Sequence, residues 1–159
     1  MPTFDPIQQL ITITEKWRHL LQKDFSCLTP EQQITSPAPG GRTAVDILAE
    51  SAMVNGIVAY HVANSKDGLP TLEEIRASQT GKDTPETAVA YLNEQTDLLK
   101  KVILGLDTDT LEDKMSPFGF ETTRFSMAEF GAVHMCYHDG QLNYIQSLNG
   151  DTKVHWSEE

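Results

Sequence analysis

The sequence has no uninterrupted apolar run long enough to cross a bilayer. Its most apolar stretch, about residues 47–63, is interrupted or bordered by Asp46, Glu50, Ser51 and Asn55, which leaves it too short and too polar for a span. The N-terminus, MPTFDPIQQLITITEKW, meets a polar residue every few positions and carries no apolar core of a secretory signal. Cysteine is scarce: two in 159 residues cannot form a disulfide framework and are compatible with a reducing interior. Positive charge is scarce as well. Twelve Lys and Arg stand against 23 Asp and Glu, a net charge of −11, which argues against nucleic-acid and anionic-membrane surfaces because both need concentrated positive charge. No segment alternates with a period of two, and there is no internal repeat, low-complexity tract or Gly-rich phosphate loop, so a β-rich fold is not expected. The expectation is a cytoplasmic protein with neither nucleic acid nor membrane as partner.

What remains is an ordinary globular composition, 39% hydrophobic and 22% charged. One domain is expected over residues 1–159, since either half alone would fall below the size at which a core usually sustains itself. From about Phe4 to Phe25, Ile7, Leu10, Ile11, Thr14, Trp17, Leu20 and Leu21 recur at steps of three and four, the apolar face of a helix that Asp5 and Pro6 start. Ser36–Gly41 reads as a loop. A second helix begins near Thr43, with Asp46 as its capping-box partner, and runs to about Ala63. Gly68-Leu69-Pro70 breaks the chain, and Thr71 caps a short helical connector. A third helix starts at Thr84-Pro85 and ends at Gly105. After a Pro/Gly-punctuated loop at residues 115–120, Ser126 with Glu129 predicts the cap of a fourth helix that Asn149-Gly150 stops. Four long helices with one longer crossover make an all-α four-helix bundle.

Chemistry is expected where polar ligands occupy apolar faces. The inward stripe of the fourth helix reads Met127, Phe130, His134, His138, Gln141 or Leu142, Ile145 and Leu148. Two histidines four residues apart lie about 40° apart around the axis and roughly 6 Å along it, which lets both bind one ion. The competing reading is a pair of buried neutral imidazoles bonded to other helices. On the second helix Glu50 has Ile47, Val54 and Ile57 on its own face, with His61 further along. A buried carboxylate there needs a proton, a cation or a metal, and no Lys or Arg occurs from Thr43 through Ser65, so a salt-bridge partner would have to come from another helix. A metal held by Glu50, His134 and His138 resolves both anomalies. His61 is the rival third ligand: it lies about 16 Å beyond Glu50 along the helix, so both cannot reach one ion, and periodicity alone does not choose.

The stretch His134-Met135-Cys136-Tyr137-His138-Asp139-Gly140-Gln141-Leu142, with Leu148-Asn149-Gly150-Asp151 after it, resembles the last-helix signature of the DinB-like (damage-inducible) superfamily. Thr43 to Glu50 resembles that family's second-helix motif, in which a His usually stands at the position of Glu50. The resemblance implies a four-helix bundle with a divalent metal at one end, held by one ligand from helix two and two from helix four, here Glu50, His134 and His138. The carboxylate lowers the site's net charge and makes the ligand set harder. Zinc accepts two His and one carboxylate, as do iron, nickel and manganese; loss of metal binding is the other outcome of the replacement.

Three protein ligands leave a coordination position open, as in reactive rather than structural sites. Such an ion lowers the pKa of water or thiol and polarises carbonyls. By analogy with thiol-dependent relatives, the expectation is a metal-dependent transferase or hydrolase acting on a small-molecule substrate, with a low-molecular-weight thiol as candidate partner. The alternative is a non-catalytic metal-binding or ligand-sensing bundle. The resemblance also implies homodimerisation, which nothing in the sequence fixes. Cys136 is rotated away from both histidines and is expected outside the site. His19 and His155 are expected at the surface, Phe118 and Phe120 as a cover over the pocket, and Trp156 docked on the bundle or a second subunit. Gly131 and Gly140 each call for close approach of a helix or ligand.

Overall fold

The computed structural model describes residues 4–157. Six α-helices form among them: α1 (Pro6–Ser26), α2 (Pro30–Ile34), α3 (Ala44–Val62), α4 (Leu72–Ala77), α5 (Pro85–Leu104) and α6 (Arg124–Leu148). A two-residue antiparallel hairpin, β1 (Lys114–Met115) with β2 (Thr122–Thr123), leads into α6. No helix among the described residues is long and apolar enough to cross a membrane.

The starts of α1, α3, α4 and α5 are written locally. Asp5 accepts the Ile7 and Gln8 N–H groups ahead of Pro6, and Thr43, Thr71 and Thr84 each close a capping box with the residue three positions on. The start of α6 departs from the sequence expectation. Thr123, not Ser126, is its cap: Ser126 lies inside the first turn and donates its N–H to Thr123 Oγ1 at 3.2 Å. The hairpin explains the shift, because the Arg124 and Phe125 N–H groups are taken by the carbonyls of Asp113 and Leu111, so the chain enters the helix earlier than a side-chain cap alone would dictate. Helix α2, in the connection after α1, was not expected; Thr29 and Gln32 form its capping box.

The four long helices make the bundle. Helix α3 packs on α5 and α6, and α1 packs on the same two, so α1 and α3 lie on one diagonal. Helices α3 and α6 run antiparallel: Asn55 meets Met135 and Arg124 reaches the Val62 carbonyl. Helices α3 and α5 run parallel, with Asn55 on Thr96 and Asn64 on the Gly105 carbonyl. Parallel neighbours need a return along the bundle, and the segment carrying α4 supplies it. Leu21, Phe25, Leu48, Ala52, Tyr91, Leu92, Met135 and Leu142 fill one end of the core; Leu10, Val58, Val62, Leu99, Ile103 and Met127 fill the other.

Helix α6 is turned relative to its expected stripe. Its buried residues are Met127, Ala128, Gly131, Ala132, Met135, His138, Asp139, Leu142, Ile145 and Gln146, while Leu148 is exposed. Small residues cause the turn. Ala128, Gly131 and Ala132 carry little hydrophobic weight, yet they let α3 come close and admit the Leu99 side chain of α5. A Cβ on Gly131 would stand 2.7 Å from Leu99 Cδ2 and 2.9 Å from Asn55 Oδ1.

Candidate metal centre

The antiparallel pairing of α3 and α6 lays Glu50 opposite His138, one helical turn from His134. Ligand atoms of Glu50, His134 and His138 all lie within 4.8 Å of one another, a group that could hold a metal ion. Glu50 sits on the rim of α3 with a quarter of its side chain exposed; His138 is buried. His61 is not in the group. Its ring packs edge-on against Tyr60 and Phe118 instead, so the geometry that periodicity left open favours Glu50.

Hydrogen bonding fixes the state of His138. Its Nδ1 stands 2.7 Å from Gln141 Oε1, and Gln141 Nε2 donates onward to the Tyr137 hydroxyl at 3.1 Å. The amide oxygen can only accept, so Nδ1 carries the proton and the Nε2 lone pair points into the site. Burial pushes the His138 pKa down, against the raising effect of the Gln141 bond and with help from the Arg42 charge. His134 is lowered to about 4, first by burial and then by the His138 and Arg42 charges. Both rings are therefore neutral near pH 7, the protonation state a metal ligand requires.

His134 Nδ1 and His138 Nε2 are buried without a hydrogen-bond partner. His138 Nε2 faces Glu50 Oε2 at 3.8 Å; with a neutral ring this is no ion pair but two lone-pair atoms with no proton between them. A buried acceptor left in that state costs about 1–3 kcal/mol, and a cation placed among the three atoms removes the cost. The donor set, two imidazoles and a carboxylate, suits zinc, iron, nickel or manganese.

The group also has a resident cation. Arg42 Nη1 contacts Glu50 Oε2. The partner of the carboxylate thus comes not from another helix, as expected, but from the loop one residue before the cap of Glu50's own helix.

The family model of the DinB superfamily matches residues 13–142, a span that contains Glu50, His134 and His138. The chain belongs to the DinB superfamily. No curated protein matches it. Superfamily membership agrees with the all-α bundle; it assigns no reaction.

Neighbouring residues shape this DinB-superfamily site. Phe118 packs on Phe130 at 6.1 Å and Phe130 on His134 at 5.8 Å, so the hairpin loop builds an aromatic wall beside one imidazole. Cys136 lies outside the ligand group and burial raises its thiol pKa. Gly131 is a close helix contact, as expected, but a Cβ on Gly140 would meet nothing within 4 Å. His155 is buried, not at the surface, and bonds Asp151 at 2.9 Å. A second polar cluster escaped the sequence reading. Asp24 and Asp139 are buried beside one another between α1 and α6, where Asp24 accepts from Asn143 Nδ2 and Trp156 Nε1. The stripe Met135, His138, Asp139, Leu142, Ile145, Gln146, with its step of one inside steps of three, was the available signal.

Proposed function

We propose that this member of the DinB superfamily is a metal-dependent enzyme, a transferase or hydrolase acting on a small molecule, with a low-molecular-weight thiol as candidate nucleophile. One observation carries the reading: the unpartnered Nε2 of His138 faces a Glu50 oxygen, His134 lies in the same group with a buried unpartnered nitrogen, and a set of three protein ligands would leave a coordination position open. A divalent ion held there supplies Lewis acidity, lowering the pKa of water or thiol and polarising a carbonyl. The chain's own residues do the rest. Gln141 holds the His138 proton on Nδ1 and keeps Nε2 available. Phe118 and Phe130 shield the His134 side of the group from water, and Glu50, on the partly open rim, leaves the approach from solvent on the Arg42 side.

The test is elemental analysis of untagged protein, with Glu50→Ala and His134→Ala beside the parent, followed by chelation and readdition of metal under a thiol and electrophile panel. Stoichiometric metal in the parent, loss in both variants and turnover that follows metal occupancy are expected. Metal uptake with no turnover would leave a metal-binding or sensing bundle, and unchanged occupancy in Glu50→Ala would remove the carboxylate from the ligand set.

A further inference from the structure

The residue that the metal reading leaves over is Arg42. Its Nη1 contacts Glu50 Oε2, the same oxygen that faces His138 Nε2 at 3.8 Å. A guanidinium has no lone pair and cannot ligate a metal, so Arg42 is not a fourth ligand. It competes with the ion for one carboxylate oxygen. Once that oxygen turns to a divalent cation, Arg42 keeps at most the other oxygen of a carboxylate whose charge the ion already shares, and it stands beside like charge.

Among the described residues, the walls of the groove provide no replacement. Arg42 lines a groove of about 460 Å³ between the Pro/Gly loop and α6, with Gly41, Gly140, Gln141 and Tyr144 among its walls and no Asp or Glu. The nearest acid along the chain, Asp46, is occupied in the capping box with the Thr43 N–H. Opposite Arg42, Gly140 presents no side chain and open space. The arginine itself is 53% exposed and so reachable from solvent. In a chain of net charge −11, long-range electrostatics give an anion no reason to approach; a single arginine beside a dication does.

We propose that Arg42 is the anion-recognising residue of this site: the substrate carries a carboxylate, which Arg42 holds in the groove beside the metal, and Glu50 is the stand-in for that group when the site is empty of both. The inference rests on the metal reading above and adds a substrate class to it. A carboxylate is the group of choice because it is what Arg42 already binds, and because the planar fork of guanidinium matches its two oxygens.

The experiment loads untagged parent, Arg42→Ala and Arg42→Lys with Co(II), measures cobalt per chain and cobalt affinity by chelator competition, and then titrates acetate against acetamide while following the visible cobalt bands. In the parent, acetate shifts the bands saturably and acetamide does not. Arg42→Ala binds acetate at least tenfold more weakly and Arg42→Lys recovers part of the loss. Cobalt stoichiometry stays the same in all three, and cobalt affinity in Arg42→Ala is unchanged or several-fold tighter, since Glu50 has been released. Equal acetate affinity in parent and Arg42→Ala, both cobalt-loaded, overturns the role of Arg42 and leaves the metal reading standing; so does loss of cobalt in Arg42→Ala alone, which would make the arginine a prop for Glu50. A parent that takes up no cobalt overturns the metal reading and this inference with it.

Discussion

At the scale of single residues, the direction in which His138 points is set by an amide. Gln141 accepts the Nδ1 proton at 2.7 Å and is itself tied to Tyr137 at 3.1 Å, so the ring cannot flip or change tautomer without breaking a bond inside a mostly dry site. Removing such an outer partner of a ligand typically weakens metal binding by 10–100-fold. Gln141→Ala is expected to fall in that range, read by chelator competition, with unchanged far-ultraviolet circular dichroism; a shift under threefold would mean that packing alone orients the imidazole. Cys136 gives the converse expectation. Its thiol is not among the clustered ligand atoms and burial raises its pKa, so it is expected to serve neither as ligand nor as thiolate nucleophile. Cys136→Ser should keep full metal stoichiometry and full activity, and loss of either in that variant would place the thiol in the site after all.

At the scale of elements, helix α6 shows what a sequence does and does not declare. Its histidine spacing was legible because four residues on a helix share a face, and the starts of α1, α3, α4 and α5 were legible because each is fixed by its own side chains. The cap of α6 was not. Its first N–H groups are satisfied by the carbonyls of Asp113 and Leu111, contacts of the tertiary fold that no local pattern announces, and so Thr123 rather than Ser126 begins the helix. The rotation of the helix was hidden for a related reason: glycine and alanine bury without contributing to a hydrophobic stripe. The two glycines of α6 separate these effects. Gly131→Ala puts a methyl 2.7 Å from Leu99 Cδ2 and 2.9 Å from Asn55 Oδ1, an overpacking that should cost about 1–3 kcal/mol. Gly140→Ala meets nothing within 4 Å and should stabilise by roughly 0.5–1 kcal/mol through helix propensity. Urea denaturation of both variants checks the opposite signs; a stabilising Gly131→Ala would contradict the tight packing of the Leu99 and Asn55 side chains against α6 there.

At the scale of the whole molecule, the bundle was foreseen from four apolar stripes, and the group of Glu50, His134 and His138 from polar residues interrupting two of them. Arg42 and the buried acid pair were not foreseen, because a loop residue has no periodicity and a carboxylate next in sequence to a histidine looks like surface. That pair ties stability to pH. Burial, then the neighbouring Asp24 charge, then the Asp24 hydrogen bond raise the Asp139 pKa to about 7, with the Trp156 N–H opposing. In the unfolded chain an Asp titrates near 3.9, so between roughly pH 4 and 7 the folded protein holds a proton that the unfolded one has lost. Stability from this group is full below the unfolded pKa and declines as pH rises to the folded one. His134, lowered to about 4 by burial and by the charges of His138 and Arg42, contributes with the opposite sign, gaining as pH rises from about 4 to 6.5. The parent's own pH profile therefore mixes the two. Asp139→Asn isolates the acid, since the amide keeps a donor for Asp24 and cannot ionise. The free energy of unfolding of the variant minus that of the parent should grow by about 1–3 kcal/mol between pH 5 and pH 8, the upper end set by two units at 1.36 kcal/mol each. The measurement is urea denaturation of metal-free protein at both pH values. A difference that stays flat would mean that Asp139 is ionised in the native state throughout, and one that shrinks would mean that its charge stabilises the junction with Asp24 and Trp156 rather than straining it.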